Sequence, residues 1–179
     1  APGADAFRWF FLAANPPWGS KRHSLGNVRA SQKECPIKLR NVYSFFTIYA
    51  EIDGFDPTSE KGRPVAERAL LDRFILSELA KLNASLIEHL DAYRAYEAAR
   101  ELTEFVDALS NWYLRRSRSR FWGSERNHDK IDAYATLYEA LVTVTKLAAP
   151  FVPFMTDEIY QNLVCGPFGT DAPESVHLC

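Results

Sequence analysis

The sequence predicts an all-α protein: an antiparallel helix bundle preceded by a short helical connector. Three observations predict it. Apolar residues recur at the three-and-four spacing of a buried helical face from Val65 to Val164. Breakers at Asn15-Pro16-Pro17, Asp53 to Pro64, Gly123 to His128 and Pro150 divide the chain into helix-length pieces joined by short loops, which favours antiparallel neighbours. No stretch alternates with period two for long enough to form a sheet.

Asp5 to Ala14 reads as a short helix that must stop before Pro16-Pro17, because proline lacks an N–H and restricts the residue before it. Asn15 to His23 is then a loop, and residues 1–23 together form the connector. Ser24 is placed to cap a helix running to about Ala50, with Val42, Phe45, Phe46 and Tyr49 on its buried stripe. Pro36 lies inside this helix and predicts a kink or break. Asp53 to Pro64 connects to a helix in which Leu71, Phe74, Ile75, Leu79, Leu82, Leu86 and Leu90 line one face. Asp91 is placed to cap the next, whose face runs through Leu102, Phe105, Val106, Leu109 and Tyr113. Asp129 is placed to cap a further helix carrying Ile131, Tyr134, Tyr138, Leu141 and Ala148, ended by Pro150. Pro153 starts the last, through Ile159, Tyr160 and Leu163, with Asp157 and Glu158 read as first-turn acids complementing its dipole. The bundle so drawn spans residues 24–164, and residues 165–179 begin a linker.

At 179 residues, 47% hydrophobic and 25% charged, the chain can bury a sizeable core. No apolar run approaches the ~20 residues of a membrane span, and residues 1–20 hold Asp5, Arg8 and Pro-Pro rather than a signal peptide's apolar stretch. A cytoplasmic location without membrane contact is the expectation. Ala1 in place of Met and the loop-like run up to Cys179 predict a piece of a longer chain. Cys35, Cys165 and Cys179 lack C-x-x-C spacing or nearby His, so neither a disulfide framework nor a metal site is predicted. His23, His89, His128 and His177 are scattered, and no phosphate-binding Gly-rich loop or nucleophile motif occurs, so no catalytic residue is assigned.

The formal net charge of −2 conceals a segregation. Residues 1–50 carry a net +5, residues 51–110 −6, residues 111–128 +4 and residues 129–179 −5. Such blocks can build a polyanion-binding face without a basic isoelectric point, although each could equally be a solvated helix face.

The densest basic block runs from Asn111 to Trp122 and packs four Arg and two Trp into twelve residues. At 100° per residue, Arg116 and Arg120 continue the buried stripe of Leu109 and Tyr113, whereas Arg115, Arg118 and Trp122 face away from it. Either this helix projects beyond the bundle, or Arg116 and Arg120 are structural and meet acids such as Asp129 or Asp132. Guanidinium forks grip phosphate bidentately and flat aromatics stack on unpaired bases, so the composition suits RNA. The candidate RNA-binding residues are therefore Trp112, Arg115, Arg116, Arg118, Arg120 and Trp122. Lys21 and Arg22, after Pro-Pro-Trp, form a second and weaker candidate contact.

These residues also carry a family resemblance. Gly3-Ala-Asp-Ala-Phe-Arg-Trp-Phe10 resembles the segment after the KMSKS loop of isoleucyl-tRNA synthetases. Asn15-Pro-Pro-Trp18 through Lys21-Arg22, Leu39-Arg-Asn-Val-Tyr-Ser-Phe-Phe46 and Ile52-Asp-Gly-Phe-Asp-Pro57 resemble its continuation. Phe105 to Trp122 is similar to the family's anticodon-domain helix, Leu147-Ala-Ala-Pro-Phe-Val-Pro-Phe-Met-Thr-Asp-Glu-Ile-Tyr-Gln161 to the close of that bundle, and Glu174-Ser-Val-His-Leu178 to the segment after the bundle. The Ile52–Pro57 and Pro-Pro-Trp elements favour the isoleucyl branch over valyl, leucyl or methionyl relatives, and its eukaryotic-like subtype. The resemblance implies a class I anticodon-binding bundle that positions isoleucine-specific tRNA for a longer ATP-dependent ligase. It implies ATP with magnesium for that parent, with zinc as a further candidate, and no cofactor here. The partners implied are tRNA and the remaining domains of the same chain. A rival reading from another class is a helical protein-interaction module that docks partners on its acidic faces.

Overall fold

The computed structural model describes residues 2–20 and 22–179, and among them there is no β-strand. Eight helices carry the fold: α1 (Gly3–Ala13), α2 (Leu25–Glu34), α3 (Pro36–Asp53), α4 (Leu70–Asp91), α5 (Ala95–Asp107), α6 (Arg115–Trp122), α7 (His128–Ala148) and α8 (Pro153–Tyr160). Short helical turns continue from α8 to the end of the chain. Helices α4 and α5 pair with each other, and α7 runs against α3, α4, α6 and α8. No helix is long and apolar enough to cross a membrane among the described residues.

The elements form where local chemistry dictates. Ser24 caps α2, its hydroxyl accepting from the Asn27 amide at 3.1 Å. The long helix expected to run on to Ala50 breaks at Cys35, and Pro36 becomes the first residue of α3, where a missing N–H costs nothing. Three expected helix starts need correction. Asp91 is the last residue of α4 rather than the cap of α5. The cap of α7 is Asn127, whose side-chain oxygen accepts from the Lys130 amide at 3.0 Å, which leaves Asp129 free for another role. Asp157 and Glu158 lie beyond the first turn of α8. The acid at that helix start is Asp5 of α1, which accepts from the amides of Phe154 (3.3 Å) and Met155 (2.7 Å).

The core is continuous from Trp9 of α1 through Leu39 and Val42, Ile75 and Leu79, Leu102 and Leu109, to Leu137 and Ile159. Trp9 thus ties the N-terminal helix into the bundle, its ring 5.9 Å from Phe151. Phe121 and Tyr134 meet edge to face at 4.9 Å and seat the end of α6 on α7. Phe74, expected on the buried stripe of α4, is 46% exposed and lies 5.0 Å from Trp112.

The loop 54–69 is pinned by cations from itself and from beyond α6. Arg126 donates to the carbonyls of Asp53 (2.6 Å) and Gly54 (3.2 Å) and to the Glu60 carboxylate. Asp132, wholly buried, accepts from the Arg63 amide and guanidinium at 2.7 and 2.8 Å. Gly62 has φ +68°, and a Cβ there would lie 3.0 Å from the Ala135 Cβ and 3.2 Å from the Asp132 carboxylate, so only glycine fits.

Candidate nucleic-acid interface

The basic stretch begins in a π turn. Residues Ala108–Leu114 continue α5 with i→i+5 hydrogen bonding before α6 resumes the α pattern. A π turn takes up about one extra residue per turn, so every later side chain falls one position behind an ideal α-helix. The buried positions are therefore Leu109, Tyr113, Leu114, Ser117 and Phe121, and the stripe expected at Arg116 and Arg120 has moved to Ser117 and Phe121. Sequence periodicity at 100° per residue has no means of seeing this shift.

The consequence differs between the two arginines. Arg116 is exposed, with its guanidinium 5.6 Å from the centre of the Trp112 ring, so its expected place on the buried stripe is corrected. Arg120 keeps a side-chain exposure of 13% and is held by acids. Its two terminal nitrogens fork onto the Asp72 carboxylate at 2.7 Å each, and its Nε donates to Asp129 at 2.8 Å. Tyr113 donates to the same Asp72 oxygen at 2.7 Å. Burial works against the Arg120 charge, but the Asp72 and Asp129 carboxylates more than offset it and raise the pKa above the ordinary arginine value. Burial, then the Asp72 charge, holds the Tyr113 phenol well above its usual range, so it stays a donor. Arg120 is thus a structural residue, with its guanidinium nitrogens committed. Of the two acids expected for it, Asp129 is present and Asp132 is not, being committed to Arg63.

Arg115, Arg116 and Arg118 are exposed, and none meets a carboxylate among the described residues. Arg118 lies 6.0 Å from the ring of Trp122, itself 58% exposed. Trp112 is half-buried against Phe74. Arg115 and Arg118 also line a groove of about 380 Å³ between α3 and this helix, with Asn41, Phe45, Ser110 and Asn111 among its walls. Sequence reading missed this polar wall, because it joins residues about seventy positions apart. Nearby, Lys38 is paired with Asp107, which also accepts from Asn111, and Arg40 reaches Glu158 at 3.3 Å. Lys38 and Arg40 are therefore at least partly neutralised, and the unpaired positive charge of this region belongs to α6.

In the second basic element, Arg22 is exposed and its carbonyl accepts from the Asn27 side chain at 3.3 Å. Lys21 lies outside the described residues. No group of three or more His, Cys, Asp or Glu able to hold a metal occurs among the described residues. An arrangement of guanidinium groups without carboxylates on one helix, with the exposed Trp122 and the half-buried Trp112 at its ends and a polar groove beside it, can bind a phosphate backbone and stack on bases.

Residues 72–179 match the family described as the anticodon-binding domain of tRNA ligase. An isoleucine–tRNA ligase of Clostridium novyi is 52% identical over 177 residues, which is 99% of this chain and 17% of that protein. The isoleucine–tRNA ligase of Dehalococcoides mccartyi is 49% identical over 176 residues, 98% of this chain and 17% of that protein. The chain thus spans about a sixth of the length of the curated relatives it matches. Among solved structures, the free-state methionyl-tRNA synthetase of Mycobacterium tuberculosis superposes with a TM-score of 0.64 at 17% identity, covering 88% of this chain and 32% of that one, a likeness of fold alone.

Proposed function

Because the chain belongs to the anticodon-binding domain family of tRNA ligases, we propose that it holds the anticodon arm of an isoleucine-specific tRNA for a longer isoleucine–tRNA ligase. The observation that carries this reading is the edge of α6, where Arg115, Arg116 and Arg118 stand exposed without carboxylates beside an Arg120 that is locked to two of them. Phosphates are the natural acceptors for such guanidinium groups, and Trp112 and Trp122 offer faces to unpaired bases. Lys21 and Arg22 supply a second contact. In this reading residues 1–23 connect to the preceding part of the ligase and residues 165–179 lead into its C-terminal part. ATP, magnesium and any zinc belong to other domains of the parent, which works in the cytoplasm where tRNA is charged.

The test is the salt dependence of tRNA binding. Replacing Arg115 and Arg118 together by Ala is expected to leave the melting temperature within about 2 °C of the parent chain, since exposed substitutions change little. Affinity for tRNA should fall, and the slope of log affinity against log salt should flatten by up to about one unit per lost phosphate contact. Unchanged affinity and slope would remove α6 as the docking edge. Binding of a scrambled duplex as tightly as tRNA would remove the tRNA reading itself.

A further inference from the structure

A second site lies away from α6, where the loop after α1 meets the turn between α4 and α5. Trp18 is 80% exposed and Tyr93 is 95% exposed, the latter the most exposed large hydrophobic side chain among the described residues. Both line one cleft of about 150 Å³, together with Asn15, Pro17, Phe11 and Tyr96. A cavity of roughly that volume holds a benzene ring, so the space suits one flat aromatic group.

The backbone under each ring is built rather than loose. Trp18 sits in a turn closed by the Gly19 amide on the Pro16 carbonyl at 3.1 Å, with Pro17 restricting its path. Tyr93 closes α4 through a Schellman arrangement, its amide donating to Leu90 (3.0 Å) and the Arg94 amide to His89 (2.8 Å). That motif needs a left-handed residue, and Tyr93 takes it at φ +57°. The end of α3 makes the same pair of bonds with Gly54 at φ +63°, the residue type that carries no strain there. A bulky aromatic in the glycine position of one motif, pointing into solvent, is a strained placement with no packing gain, and such outliers mark functional positions. The charges around it are of both signs: Arg94, paired with Glu88 at 3.0 Å, and Glu97 line the cleft, while Arg22 is exposed nearby in sequence to Trp18 and the His23 ring lies tilted 6.0 Å from Phe11. Residues 1–50, which hold Trp18, carry a net +5, and residues 51–110, which hold Tyr93, a net −6.

We infer that the Trp18–Tyr93 cleft receives one unpaired nucleobase of the bound RNA by stacking, with the Asn15 amide at its edge and Arg22 toward the flanking phosphates. The inference rests on the tRNA reading above and adds a stacking contact whose lining shares no residue with the α6 groove.

The experiment uses the purified chain with tRNA and with a single-stranded RNA hexanucleotide. Tyr93→Gly should raise the melting temperature, by releasing the left-handed strain, while weakening tRNA binding about tenfold, the size of one lost base stack. Trp18→Ala should weaken binding similarly at an unchanged melting temperature. In both variants the salt slope should stay that of the parent chain, unlike the Arg115/Arg118 double variant, because stacking releases no counterions. The fluorescence difference between the parent chain and Trp18→Phe should be quenched by the hexanucleotide and not by a duplex of equal length. Wild-type binding of tRNA with both variants unaffected overturns the cleft and leaves the tRNA reading standing. Failure of the parent chain to bind tRNA sinks that reading, and the hexanucleotide then decides the cleft by itself: no quenching at Trp18 overturns it. Shielding of Trp18 from acrylamide in the longer ligase without RNA also overturns it, since the two rings would then be covered by another domain.

Discussion

Asp72 shows how much one residue decides. It sits in the first turn of α4 with no exposure, accepts the Arg120 fork and the Tyr113 hydroxyl, and so joins α4, the π turn and α6 at one carboxylate. Removing it by Asp72→Ala leaves the Arg120 charge with Asp129 alone, half-exposed at 49%, and the Tyr113 hydroxyl without an acceptor. The expected cost is about 3 kcal/mol, read as a lower urea midpoint with an unchanged slope. Asp129→Ala keeps the fork to Asp72 and should cost much less. Equal losses for the two would mean that the fork is not the anchor. Sequence reading passed over Asp72, because nothing local names a partner 48 residues away.

At the scale of the element, caps and the π turn set what the basic edge presents. Asn127→Ala deletes the side-chain acceptor of the Lys130 amide and is expected to destabilise by about 1 kcal/mol, seen by thermal melting. No loss would mean that the cap is replaced by water. Beyond α8, the chain folds back so that Val176 is buried against Tyr160 and Ala149, and Asp157 holds it there. The Ser175 hydroxyl (2.7 Å), aided by the Val176 amide (3.1 Å), pulls the Asp157 pKa below its ordinary 3.8 against a little opposing burial. A carboxyl depressed in the folded state contributes stability that is complete above its unfolded pKa and is lost as pH falls through the folded value. Docking of residues 175–178 is therefore expected to hold from neutral pH down to about 4 and to weaken below it. Hydrogen exchange at the Val176 amide measures this, and protection that stays constant down to pH 2 would sink the assignment.

For the whole molecule, circular dichroism should be dominated by helix, as the eight helices from α1 to α8 require, and a sheet-rich spectrum would sink the fold. Given ATP, isoleucine and tRNA, the chain by itself is expected to form neither adenylate nor charged tRNA. No Gly-rich phosphate loop or nucleophile motif occurs in the sequence. Adenylate above a blank, measured by pyrophosphate exchange, would overturn the assignment of this chain as a binding domain.

The sequence by itself determined the helical class, the break at Pro36, the Ser24 cap and the buried faces of α5, α7 and α8, because each follows from periodicity or from the chemistry of a single residue. The basic stretch and its aromatics were equally plain as composition. Only the tertiary structure decided which arginines are available. The π turn shifted the phase so that Arg116 came out and Ser117 went in, and Asp72, distant in sequence, took Arg120 into the core boundary. The same limit hid the Trp18–Tyr93 cleft, whose walls lie some seventy-five positions apart. A helical period reports neighbours within two turns, whereas pairing of charges and the meeting of loops depend on where the packed helices bring distant residues.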